Sequence, residues 1–127
     1  MKGTDTHKVS ENMTEQNELK IEDLVQGTGK AAERGALVTA HYTGWLEDGT
    51  EFDSSYKKNA AFQTVLSNKR VIQGWVLGLQ GMQVGGKRKL WVPAHLAYAE
   101  RQVGNIIPPN ANLIFEIELL EVLTRDE

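Results

Sequence analysis

At 127 residues the chain has room for one domain, and a fold of that size removes roughly two-thirds of the unfolded chain's surface from water. Its 14 Lys and Arg against 17 Asp and Glu give a net charge of −3, which argues against a nucleic-acid partner, and the absence of cysteine excludes disulfides, thiolate catalysis and cysteine-ligated zinc. The first 20 residues are polar and lack the apolar run of about 7–15 residues of a secretion signal. No stretch reaches the roughly 18 apolar residues of a membrane span, so a soluble cytoplasmic protein without a membrane partner is expected.

Residues 1–18 carry few apolar side chains and are expected to form a flexible polar tail, followed by one domain over 19–127. Leu19 and Ile21 alternate with Lys20 and Glu22 in a weak strand, and Gly27-Thr28-Gly29 marks a turn. Residues 37–46 are rich in Val, Thr and Tyr and predict a clear strand. Asp48-Gly49 is a hairpin turn signal that returns the chain antiparallel through 50–52. Asp53-Ser54-Ser55 can bond its own backbone and is expected to interrupt that strand, leaving 56–59 as an exposed connection before a further extended segment at 62–66.

Ile72, Trp75, Val76, Leu79 and Met82 recur at helical spacing and predict a short helix with one apolar face. Trp75 on that face can be core, or it can floor an apolar pocket. After a turn at Val84-Gly85-Gly86 comes a strand at 87–92, stopped by Pro93, which has no ladder donor. A long loop over 94–109 follows, a length that in a small domain points to function. Leu113, Phe115, Ile117 and Leu119 alternate with Glu116 and Glu118 in the cleanest period-two strand of the chain. Several antiparallel strands and one helix predict an α+β fold.

Two sets of residues look chemical without the context chemistry needs. Gly81 to Lys87 has phosphate-loop spacing, but it follows a helix, opens a strand and continues with Arg88 instead of a magnesium-binding hydroxyl. His7, His41 and His95 have no metal-ligand spacing, and no nucleophile stands with a base and an orienting acid. What remains is a set of aromatic and aliphatic residues along the chain, with Asp53 beside Phe52.

That set, in order and spacing, resembles the FKBP-type peptidyl-prolyl isomerases, the immunophilin rotamases that bind the macrolides tacrolimus and rapamycin. The resemblance rests on His41-Tyr42-Thr43-Gly44, Leu46-Glu47-Asp48-Gly49, Phe52-Asp53-Ser54-Ser55, Val71-Ile72-Gln73-Gly74-Trp75 and Gly81-Met82-Gln83-Val84-Gly85. It continues through Ala97-Tyr98, Ile106-Ile107-Pro108-Pro109-Asn110-Ala111 and the strand from Leu113 to Leu120. It implies an antiparallel sheet of five or six strands curled around one short helix. It further implies a pocket with Trp75 as floor and Tyr42, Phe52, Phe62, Val71, Ile72, Tyr98, Ile106, Ile107 and Phe115 as walls. Asp53 matches the pocket carboxylate, Tyr98 a hydroxyl donor and Ile72 the residue whose backbone N–H holds a ligand carbonyl. Catalysis would then rest on Asp53, Tyr98, Phe52, Ile72 and Trp75, with neither cofactor nor metal. The implied partners are proline-containing peptides, folding proteins and macrolide inhibitors, met by a monomer.

Three positions depart from the family pattern. Lys58 stands where many members have an arginine that pairs the pocket Asp and Tyr, Val103 where the human prototype has a loop histidine, and Ala99 where glycine often follows the loop tyrosine. Lysine cannot reproduce a planar bidentate fork, so weaker anchoring of Asp53 is expected. An alternative of different class keeps the pocket but not the turnover: a module that docks a proline-containing or hydrophobic segment, with a chaperone or assembly role.

Overall fold

A computed structural model of the chain describes residues 18–125, so the tail expected over 1–18 lies almost wholly outside the described residues. Six strands form one antiparallel sheet: β1 (Lys20–Val25), β2 (Leu37–Leu46), β3 (Glu51–Ser54), β4 (Phe62–Val65), β5 (Lys87–Val92) and β6 (Leu113–Leu123). Their order is β1-β5-β6-β2-β3, and β4 also pairs β2. The second edge of β2 is divided, its first half pairing β4 from Leu37 to Ala40 and its second half β3 from Thr43 to Trp45. The fold is α+β, a six-stranded antiparallel sheet with short helical pieces.

Alternation decides which face is covered. In β2 the residues Val38, Ala40 and Tyr42 are buried, in β5 Arg88, Leu90 and Val92, and in β6 Leu113, Phe115, Ile117 and Leu119. These inward rows meet α2 (Gln73–Gly78), whose Trp75 and Val76 are buried with Leu79 and Met82 just beyond it. The helix is shorter than the apolar face over 72–82 suggests, because Leu79 already closes it; Met82 reaches the core from the following turn. Strand β1 lies at the sheet edge with all six residues exposed, held by its ladder to β5 and by the Asp23–Arg88 ion pair at 2.7 Å.

Two glycines let α2 settle onto β5. A Cβ at Gly74 would stand 2.4 Å from Val92 Cγ1, and one at Gly78 would stand 2.7 Å from Leu90 Cδ1. The far end of the helix is held by Arg88, whose Nη1 donates to the carbonyl oxygens of Gly78 at 2.9 Å and Gln80 at 3.2 Å. The run 81–87 with phosphate-loop spacing is thus the turn from α2 into β5.

One expectation needs correcting. The strand after the hairpin is not interrupted at Asp53; it runs to Ser54, and residues 55–58 form a one-turn helix, α1 (Ser55–Lys58), rather than an irregular connection. Ser54 Oγ caps it by accepting from the Lys57 N–H, and Asn59 ends it in the left-handed region at φ 56°.

Candidate functional site

A cavity of about 140 Å³ opens between the sheet, α2 and the loop after β5, lined by Tyr42, Phe52, Asp53, Phe62, Arg70, Val71, Ile72, Trp75, Tyr98 and Phe115. Trp75 is its centre. Placed on α2 by the close helix–sheet contact, it is only 4% exposed, and three rings meet it edge-on: Tyr42 at 5.3 Å, Phe115 at 5.6 Å and Phe62 at 5.8 Å between centroids. Edge-to-face geometry sets the positive rim of one ring against the negative face of another and fixes each orientation. Phe52 extends the cage by meeting Phe115 at 5.7 Å and 85°.

Phe52 and Asp53 are sequence neighbours, and on a regular strand they would point to opposite faces. They line the same cavity because the ladder slips there: Gly44 pairs Asp53 while Trp45 pairs Glu51, so Phe52 is the extra residue of a bulge. Gly44 provides the room. A Cβ on it would lie 2.6 Å from Phe52 Cζ and 3.0 Å from Phe115 Cε1.

Asp53 accepts from every side. Its Oδ2 takes the Tyr42 hydroxyl in a short hydrogen bond, and its Oδ1 takes the Lys58 ammonium at 2.8 Å and the Ser54 N–H at 2.9 Å. Burial works to raise the Asp53 carboxyl, but the donors and the Lys58 charge outweigh it and hold the group below its ordinary value. Where the family pattern has a fork, three point donors hold the carboxylate here, Lys58 among them. The Tyr42 hydroxyl is driven well above the usual tyrosine range, first by burial and then by its bond to the Asp53 anion. Tyr98 is also raised, by burial and by the field of Asp53, with Arg101 pulling the other way. Both phenols stay neutral donors at physiological pH.

Two donors on the cavity wall lack an internal partner. Neither the Tyr98 hydroxyl nor the Ile72 N–H, at the N-cap of α2, makes a hydrogen bond among the described residues. Both residues belong to the cavity lining.

Of the eleven residues named from the sequence, the structure gathers nine around the cavity: Tyr42, Phe52, Asp53, Phe62, Val71, Ile72, Trp75, Tyr98 and Phe115. Ile106 and Ile107 are not in its lining. Ile107 is 4% exposed and belongs to the core, tied to Val103 by paired backbone bonds, while Ile106 projects into solvent at 55% exposure. Arg70 lines the cavity and was not anticipated, since an isolated exposed arginine leaves no periodic trace in a sequence. His41 lies outside the lining, bonding Ser55 Oγ at 2.8 Å and stacking on Tyr56. A second cavity of about 190 Å³, lined in part by Glu18, Lys20, Glu47 and Trp91, lies on the outer face of the sheet and mixes charges of both signs.

Residues 28–120 match the family described as FKBP-type peptidyl-prolyl cis-trans isomerase. The chain is 52% identical over 104 residues to an FK506-binding protein of Neisseria meningitidis serogroup A, covering 82% of this chain and 95% of that one. It is 50% identical over 94 residues to the peptidyl-prolyl cis-trans isomerase FKBP2 of Mus musculus, covering 74% of this chain and 67% of that one. Among solved structures, FkpA from Escherichia coli superposes with a TM-score of 0.76 at 40% identity, covering 82% of this chain and 47% of that longer one. A peptidyl-prolyl cis-trans isomerase from Pseudomonas syringae pv. tomato gives 0.76 at 35% identity, covering 84% and 76%.

Proposed function

The chain belongs to the FKBP-type peptidyl-prolyl cis-trans isomerase family, and from that premise we propose that the Trp75 cavity accelerates rotation about X-Pro bonds and so assists protein folding. The reading rests on one observation above all. A ring cage made rigid around Trp75 opens between two donors, the Ile72 N–H and the Tyr98 hydroxyl, that nothing in the described protein satisfies.

The reaction breaks no covalent bond. The planar amide resists rotation by about 18–20 kcal/mol because resonance is lost in the twisted state, and the unaided step takes tens to hundreds of seconds. Water favours the planar, charge-separated amide, so walls of Tyr42, Phe62, Trp75 and Phe115 that strip water from it narrow the gap to the twisted form. Taking a rate of about 0.01 per second to about 1000 per second requires a factor near 10^5, or about 7 kcal/mol. Desolvation and shape supply most of this. The proline ring stacks on Trp75, while the Ile72 N–H and the Tyr98 hydroxyl receive carbonyl oxygens of the peptide, fixed dipoles that need not reorganise as the bond turns. Asp53 has all its near donors inside the protein, and its part is to hold the Tyr42 ring upright as a wall.

Substrates are proline peptides and folding chains with an apolar residue before the proline. The same cavity would take tacrolimus and rapamycin, as the name of the Neisseria relative suggests for FK506 in that protein. A proline-tetrapeptide assay tests the central step: catalytic amounts of protein should raise the cis-to-trans rate, with tacrolimus abolishing the gain. Peptide binding without acceleration would reduce the cavity to a docking module.

A further inference from the structure

Beside the cavity runs a groove of about 360 Å³ that shares the wall of Arg70, Val71, Ile72 and Tyr98 with it. Its other side brings Lys69, His95 and Arg101 together, and none of the residues lining it is acidic. In a chain with three more acidic than basic residues, 17 against 14, such a one-sign cluster runs against the overall charge. The ion pairs among the described residues join Lys57 to Glu51, Lys58 to Asp53 and Arg88 to Asp23, and none takes up Lys69, Arg70 or Arg101.

Lys69, Arg70 and Arg101 are exposed and come from two separate segments, the turn before α2 and the loop after β5, which meet around Tyr98 and Ile72. A peptide whose proline lies on Trp75 must leave the cavity past its rim. On the side bounded by Ile72 and Tyr98 its next residues enter the groove. There a carboxylate would meet up to three permanent positive charges and the polar ends of Asn68 and Gln73.

We propose that this groove is a specificity subsite for a carboxylate-bearing residue, Asp or Glu, flanking the apolar-Pro dipeptide of the substrate. The inference rests on the isomerase reading of the neighbouring cavity and narrows its substrate class to acidic proline segments. Because the cations stand in water, the preference is electrostatic, acts over about a Debye length, and weakens with salt.

The test uses the full chain and a set of proline peptides carrying Glu, Gln or Lys at each of the three positions before and after the apolar-Pro pair. At low ionic strength, kcat/KM for Glu at one or more positions on one side should exceed that for Gln by about fivefold, and Lys should fall below Gln. The excess should shrink to under about twofold at roughly 0.5 M salt, and should vanish in a Lys69→Gln/Arg101→Gln variant whose turnover of the Gln peptide serves as internal control. Equal turnover of Glu and Gln peptides at low salt, or a Glu preference that survives the double substitution, overturns the subsite. Failure to turn over the Gln peptide would instead sink the isomerase reading. Peptide affinities measured on the same set keep the two outcomes apart, since a groove for acidic residues binds Glu peptides more tightly whether or not the bond turns.

Discussion

The two sides of the cavity are built differently. On the side of the sheet and α2, every ring is held by another: Trp75 by Tyr42, Phe62 and Phe115, Phe115 by Phe52, and Tyr42 by Asp53 as well. On the loop side Tyr98 makes no ring contact and no hydroxyl hydrogen bond among the described residues. One side presents fixed shape, which is what desolvating an amide requires. The other presents a hydroxyl donor carried on a loop that ties itself together. The Ala94 N–H reaches Asn112 Oδ1 at 2.9 Å, the Asn110 N–H reaches the Ala99 carbonyl at 2.7 Å, and Val103 and Ile107 bond each other's backbones. Such a loop is ordered by its own backbone bonds and only partly by the core.

The contrast breaks most visibly at Trp75. Trp75→Leu removes the common partner of three rings, and should cost about 1–3 kcal/mol of stability and at least tenfold in kcat/KM for a proline peptide. Denaturant titration beside the peptide assay checks both, and unfolding with unchanged turnover of the remaining folded fraction would return Trp75 to a purely structural role. A subtler break on the same side is Gly44→Ala. The new Cβ pushes the Phe52 ring, costing about 1–2 kcal/mol if the cage resists and shifting Phe52 into the cavity if it yields. Turnover should fall severalfold, while Gly35→Ala, whose Cβ would meet nothing, should cost stability through its positive φ and leave turnover per folded molecule alone.

On the loop side, Ala99 occupies the left-handed region at φ 54° directly after Tyr98, a conformation disfavoured by about 1–2 kcal/mol for a residue with a side chain. Ala99→Gly relieves that strain but frees the unfolded chain, so a net gain of up to about 1 kcal/mol is expected, with turnover changed less than about twofold. The smallest effect concerns Asp53. Its folded-state pKa is depressed, so its contribution to stability is present above the ordinary value of 3.8 and is lost as pH falls through the lower folded-state value. The Asp53–Lys58 pair stands partly in water, which keeps that contribution small. Urea midpoints from pH 6 down to pH 2 should fall less steeply for Asp53→Asn than for the parent protein.

How much of this was legible in the sequence follows the range of the forces involved. Strands β2, β5 and β6 announce themselves through alternation, because burial of one sheet face acts on each residue separately. The ring residues could be named through the family's motif order. The bulge that turns Phe52 and Asp53 to one side could not, since it depends on register between β2 and β3. The contact of Gly74 and Gly78 with Val92 and Leu90 is equally non-local. Helix α1 escaped because four residues are too few to show a period, and only the Ser54 cap marks it. Motif order leaves the orientation of Ile106 and Ile107 open. In this loop the pairing of Val103 with Ile107 turns one isoleucine to the core and the other to solvent. At Lys58 the departure from pattern was legible in the sequence, but not that the Tyr42 hydroxyl and the Ser54 N–H share the same carboxylate with it.

The most direct test is a magnetic-resonance experiment on a proline peptide with substoichiometric amounts of isotopically labelled protein. Exchange peaks between the cis and trans proline signals should appear on a timescale of milliseconds. At higher peptide concentration, shifts should concentrate on the Ile72 N–H, the Trp75 indole and the neighbours of Tyr98. An uncatalysed exchange rate, or shifts that gather around Trp91 on the outer face of the sheet, would contradict the placement of prolyl isomerisation in the Trp75 cavity.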